Sequence, residues 1–301
     1  MLPLAVLALG ASVSALAVRD PVSARDVTPI PLVFSNLTSC GAPVLSCEQN
    51  VTNTCCSPTP GGLQLITQFW SYTGRESSGQ FLPEQSWTIH GLWPDNCDGS
   101  YKSYCDLSRQ YDPTPSPNTT TGKPDGTPVP AWTGESIDNV LKRFGRYDLL
   151  RYMNAFWVLS KHATCTSTFD VSCYSNYKKG QDVVDFFLAV IRAFKTVPTY
   201  DILASNGILP SNSTTYQLRD IQAAFYRTVG AVPYLGCTTR NGTILSEVWY
   251  HSHVLGTPQL GTFELRNASL VGSATNCATN GTGIRYPLRA KGSEVSPYAQ
   301  N

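Results

Sequence analysis

Ten cysteines constrain this chain more than any other feature: Cys40, Cys47, Cys55, Cys56, Cys97, Cys105, Cys165, Cys173, Cys237 and Cys277. Thiols in this number point to disulfides, and disulfides persist in oxidising compartments outside the cytosol. The even count allows five bridges, each contributing roughly 2–4 kcal/mol, while the spacing alone leaves their pairing open. Zinc is the weaker use of these residues. It needs ligands gathered at one tetrahedral centre, yet the chain has no Cys-x-x-Cys pair, and the adjacent Cys55 and Cys56 cannot easily serve one site.

The beginning of the chain fits that compartment. MLPLAVLALGASVSALA is an apolar stretch ending in small residues, which predicts a secretory signal over residues 1–17, cleaved near Ala17. Residues 18–37 follow as a short N-terminal segment or propeptide. No later apolar run approaches the roughly 20 residues of a membrane-spanning helix, and the tail over 291–301 is polar. The expected product is secreted and has no membrane anchor; the same signal also serves a vacuolar or lysosome-like compartment. Sequons at Asn36, Asn50, Asn118, Asn212, Asn241, Asn267 and Asn280 predict glycosylated surface loops.

With 22 basic against 21 acidic residues the formal charge is +1, so the chain is no polycation that captures nucleic acid by its overall field. A nucleic-acid ligand would be held locally, in a groove with aromatic platforms.

Cysteine, serine and proline crowd the stretch from Thr38 to Gly62, predicting irregular structure tied by disulfides. LQLITQFW (63–70) and SWTIHGLWP (86–94) read as strands, the second ending at a proline and an Asn/Asp/Gly turn. Residues 111–134 are dense in Pro, Thr and Gly and predict an extended surface insertion. Apolar residues at helical spacing predict one helix over 136–157, a second over 182–194 and a third over 216–228. ILSEVWYHSHVL (244–255) is strand-like. Strands, then helices, then strands predict an α+β fold: a mixed or antiparallel sheet flanked by helices, in one disulfide-stabilised domain over 38–290.

The chain contains four histidines. His90 sits at the end of a predicted strand, on a rigid base, and His162 follows Lys161 beside Cys165. Two imidazoles, with an unperturbed pKa near 6.5, can divide base and acid roles without a metal, and a lysine can offset developing negative charge. Each of these residues also has an ordinary structural use, as does the Trp93, Asp95 and Tyr101 group, which could stack a base and accept its N–H groups. His251 and His253 lie in the aromatic strand-like run and carry less weight.

SWTIHGLWPDNCDGSY and SKHATC together resemble the two active-site segments of the ribonuclease T(2) family, fungal secreted type, over about Cys40 to Pro287. TCC at 54–56, GTILSEVW and all ten cysteines fit the same resemblance. It implies that His90 is the general acid, His162 the general base and Lys161 the stabiliser of negative charge. Trp93, Asp95 and Tyr101 match the family's base-binding residues. The family's pairing implies Cys40–Cys56, Cys47–Cys97, Cys55–Cys173, Cys105–Cys165 and Cys237–Cys277. RNA is then the expected substrate, cut through 2′,3′-cyclic phosphates to 3′-phosphate ends with low base specificity. The expectation is a monomer that leaves DNA uncut and needs no cofactor or metal.

One departure stands out. The family's second segment reads Phe-Trp-x-His-Glu-Trp-x-Lys-His-Gly-Thr-Cys, whereas this chain runs Phe156-Trp157-Val158-Leu159-Ser160-Lys161-His162-Ala163-Thr164-Cys165. The inner histidine and glutamate are absent, and neither role passes to Val158 or Leu159. Two readings follow: an endoribonuclease of impaired activity, or a catalytically degenerate RNA-binding or repurposed protein on the same scaffold.

Overall fold

The computed structural model describes residues 33–72, 82–115, 120–122, 126–146, 148–149, 156–238, 242–272 and 274–295. The signal over 1–17 lies outside them, as do most of the 18–37 segment, Asn118 and Asn241. In chain order the strands are β1 (Leu63–Phe69), β2 (Leu82–Pro83), β3 (Thr88–Asp95), β4 (Thr215–Tyr216), β5 (Tyr234–Thr238), β6 (Ile244–Leu255), β7 (Thr262–Arg266), β8 (Ile284–Arg285) and β9 (Glu294–Val295). The helices are α1 (Ile137–Arg143), α2 (Phe156–Lys161), α3 (Gln181–Thr196), α4 (Thr199–Ala204), α5 (Leu218–Val229) and α6 (Ala268–Val271).

The fold is α+β, with a mixed sheet flanked by helices and five disulfides in a single domain. β1 lies between β3 and β6, antiparallel to both. β6 is long enough to pair β5 along its first half and β7 along its second, while β8 joins it in parallel. β2 and β9 form a separate parallel pair.

One face of the sheet makes the core. Ile66, Leu92, Val248 and Tyr250 are buried against α3, whose Val183, Phe187, Val190 and Ile191 are themselves sequestered, and Phe225 of α5 meets Tyr250 edge-on at 5.8 Å. Apolar burial of this kind contributes about 25 cal/mol per Å², which makes α3 the element that holds the sheet's back. Trp70, Trp87 and Tyr286 close one end, the Trp87 indole donating to the Tyr286 hydroxyl at 2.8 Å.

The predicted strands at 63–70, 86–94 and 244–255 match β1, β3 and β6 closely, and the second and third predicted helices match α3 and α5. The first predicted helix is corrected. α1 is capped by the Ser136 side chain accepting from the Asn139 amide, but it stops at Arg143. Gly145 there adopts φ +67°, a left-handed conformation that terminates helices, and the helical spacing beyond it is not continuous helix. The Pro/Thr/Gly-rich stretch is anchored at both ends: Tyr111 packs on Trp132 at 5.4 Å, and Asp112 accepts from the Tyr104 hydroxyl at 2.6 Å.

The bridges are Cys40–Cys56, Cys47–Cys97, Cys55–Cys173, Cys105–Cys165 and Cys237–Cys277. Among the described residues no helix is long and apolar enough to cross a membrane. Asn50, Asn212 and Asn280 are exposed, whereas Asn36 and Asn267 are half-buried.

Candidate active site

A bulge in the sheet aims His90. Thr67 pairs with Gly91 and the next β1 residue, Gln68, with Ile89, leaving His90 as the extra residue of β3. Under strict alternation His90 would share the face of Leu92, inside the helical core. The bulge turns it the other way, where its ring stacks on Phe69 with centroids 3.8 Å apart.

His162 reaches the same face from the end of α2. That turn is fastened to the 104–111 segment at several points. Cys105–Cys165 bridges them, the Tyr104 amide donates to the Lys161 carbonyl, the Cys105 amide donates to Thr164 Oγ1, and the Tyr111 amide donates to Ser160 Oγ. Trp93 joins the two histidines: its ring stacks on His162 at 5.0 Å and 12° and meets His90 edge-on at 4.8 Å and 80°. Trp93 therefore touches both imidazoles and helps fix their planes.

Burial pushes both histidines down to about 3. Lys161 adds to the effect on each, and His90 adds further to that on His162. The three basic groups thus lie within electrostatic reach of one another. Burial therefore favours the neutral form of both imidazoles, His162 being only 6 % exposed.

The base-binding candidates divide. Asp95 follows Trp93 on the same face of β3 and is buried, which pushes its carboxyl up to about 7. Tyr101 lies beyond the turn closed by the Asn96 amide donating to the Ser100 carbonyl; it is 68 % exposed and makes no ring contact with Trp93. In the second segment Leu159 packs in the core and Ser160 is fully buried, so neither presents an acid or base to the histidines. Among the described residues no group of three His, Cys, Asp or Glu side chains is placed to hold a metal ion.

Strand register brings to this face residues to which sequence reading gave no site role. Leu65 stands between Trp93 and His251, Thr67 between Gly91 and Trp249, Phe69 between Thr88 and Glu247, and Leu63 between Asp95 and His253. Residues directly opposite share a face, so Glu247, Trp249, His251 and His253 line the face that carries Trp93. The recurrence of Glu247, Trp249, His251 and His253 at every second position of EVWYHSHV was the available signal. His251 is buried and pushed down to about 4 by that burial. His253 pairs with Glu48 at 2.9 Å, and Arg266 contacts the same carboxylate, which makes that end of the face a structural ion cluster.

Comparison with known proteins identifies the family. The family model described as "Ribonuclease T2 family" matches residues 61–277. "Ribonuclease T2-like" of Aspergillus fumigatus is 38 % identical over 83 % of this chain and 57 % of its own length. "Ribonuclease M" of Aspergillus phoenicis is 38 % identical over 82 % of this chain and 95 % of its own. The crystal structure of Actibind, a T2 ribonuclease, superposes with a TM-score of 0.66 at 34 % identity, covering 84 % of this chain and 99 % of that one. The fold is a disulfide-bonded α+β domain, and the chain belongs to the ribonuclease T2 family.

Proposed function

We propose that the protein is a secreted endoribonuclease that cleaves single-stranded RNA by transphosphorylation without a metal. The observation that carries this reading is the convergence of His90 and His162 on Trp93, with Lys161 within electrostatic reach of both. His162 takes the proton of a ribose 2′-hydroxyl, and the freed oxygen forms a bond to phosphorus. The bond from phosphorus to the 5′-oxygen breaks, and that oxygen takes a proton from His90. Lys161 offsets the charge on the phosphoryl oxygens. The 2′,3′-cyclic phosphate is then opened by water with the roles reversed: neutral His90 takes the water's proton and protonated His162 returns one to the 2′-oxygen, leaving a 3′-phosphate.

Trp93, Asp95 and Tyr101 supply the base contacts with low specificity. DNA lacks the attacking hydroxyl and stays intact. The protein acts as a monomer and its activity survives excess chelator. Its asparagine sequons carry glycans, and the 1–17 signal exports it. Without the inner histidine and glutamate, turnover falls below that of a complete site by roughly 10²–10⁴.

Disulfide-intact protein incubated with polymeric RNA should release cyclic-phosphate ends first and 3′-phosphate ends later, and His90→Phe should abolish both while preserving the circular dichroism spectrum. Full activity in that variant would remove His90 from the mechanism. A second reading is favoured by one observation, the burial of Leu159 and Ser160 where the second segment departs from the family pattern: the protein binds RNA without cutting it. Saturable RNA binding with no product would select it.

A further inference from the structure

On the face that carries the two histidines, an aromatic path leaves Trp93 and crosses the sheet. Trp249 of β6 meets Trp93 edge-on at 5.3 Å. Tyr234 of β5, directly opposite Trp249 in register, lies 4.5 Å from it at 30°. Glu247 stands two residues before Trp249 on the same strand face and opposite Gly236. All four side chains are part-exposed.

The glycine is what lets the carboxylate lie flat on the sheet. A Cβ at position 236 would fall 2.8 Å from Glu247 Cβ and 3.3 Å from Oε2, too close for any larger residue without displacing the acid. Among the described residues no lysine, arginine or histidine pairs with Glu247. The Trp249 indole N–H lies beside the carboxylate without reaching hydrogen-bonding geometry. Burial raises the Glu247 carboxyl. It stands opposite Phe69, with β1 between its strand and β3, so the ligand it serves lies along the sheet from His90.

We propose that Glu247, Trp249 and Tyr234 form a nucleobase subsite, separate from Trp93, Asp95 and Tyr101, which receives a second base of the RNA strand and prefers guanine. A base stacks on the aromatic pair, a contact that tolerates any sequence. The two carboxylate oxygens accept the adjacent N1–H and N2–H donors of guanine, whereas uracil offers a single N–H. The occupant is fixed by continuity: the path begins at the tryptophan that touches both catalytic histidines, so a strand whose phosphate sits between them extends along it. The inference rests on the RNA-binding reading of that centre and does not require cleavage.

The test uses the mature full-length protein and non-cleavable 2′-O-methyl hexanucleotides, alternating guanine–uracil against all-uracil, with binding read from tryptophan fluorescence and cleavage of polymeric RNA measured in parallel. The wild type should bind the guanine-containing strand about tenfold more tightly. Glu247→Gln, which replaces one acceptor by a donor at equal volume, should bring the two affinities to within about twofold. Tyr234→Leu, which keeps apolar bulk and removes the ring, should weaken both strands about tenfold. An unchanged guanine preference in Glu247→Gln, with RNA still cleaved, overturns the subsite and leaves the ribonuclease reading intact. A Glu247-dependent preference without any cleavage supports the subsite and removes the catalytic reading. Failure of the wild type to bind either strand overturns the subsite, and if polymeric RNA also stays uncut it overturns the RNA reading as well.

Discussion

Lys161 acts on both histidines at once. Its charge adds to burial in holding His90 and His162 at about 3, which places the window with one imidazole protonated and the other neutral on the acid side. Removing the charge moves both values up. Lys161→Met should therefore shift both limbs of the pH–rate profile to higher pH, while kcat drops roughly 10²–10³-fold through lost charge stabilisation. A profile that falls in height without moving would show that Lys161 does not set the histidine protonation states. Trp93 is constrained at the same scale: stacked on His162 and perpendicular to His90, it joins the placement of the two histidines to that of any base it stacks.

Among the elements, α2 and the short turn after it depend most on covalent support. α2 is six residues long, too short to be stable alone, and it delivers His162 at its end. The Cys105–Cys165 bridge closes a separation of 60 residues, for which loop-closure entropy gives about 4 kcal/mol. Replacing both cysteines by serine should lower the urea midpoint by a corresponding amount. Because the bridge sits three residues from His162, cleavage should fall further than RNA binding does; equal losses in both would assign the bridge to global stability alone. β3 achieves its placement differently. Its bulge is backbone geometry set by pairing with β1, so His90 is held by the sheet without a covalent tie.

Across the whole molecule, buried titratable groups oppose one another. His90 and His162 at about 3 and His251 at about 4 sit below the unfolded histidine value, so the unfolded chain binds more protons and stability is lost as pH falls from about 6.5. Asp95 and Asp185, both near 7, sit above the unfolded carboxylate value. Their contribution is present at low pH and lost as pH rises through 7. The aspartates, with Asp170 and Glu247 raised the same way by burial, offset part of the histidine loss above pH 4; below 4 the unfolded carboxylates protonate too and that offset is gone. Melting temperature should therefore peak between about pH 6 and 7 and drop sharply below 4; a flat profile from 3 to 8 would contradict these burials. Asp185→Asn should raise the melting temperature most at pH 8, where the native carboxylate is charged inside the core, and less at pH 5. A loss at pH 8 would mean that the charge is compensated there.

The sequence by itself determined the local chemistry. Alternation and turn residues marked β1, β3 and β6, apolar spacing marked α3 and α5, and the two segments that resemble the family's singled out His90 and His162, because each of these signals is contained within a few consecutive residues. Tertiary structure decided what depends on pairing between distant segments. The alternation of β3 alone would bury His90, and only register against β1 reveals the extra residue that turns it outward. Gly145 ended a helix whose apolar spacing ran on past it, since spacing records which residues are apolar and not the backbone conformation between them. Glu247 and Trp249 lie more than 150 residues from His90 in the chain and share its face only because β1 stands between β3 and β6, and hydrogen-bonded neighbours across a sheet must point the same way.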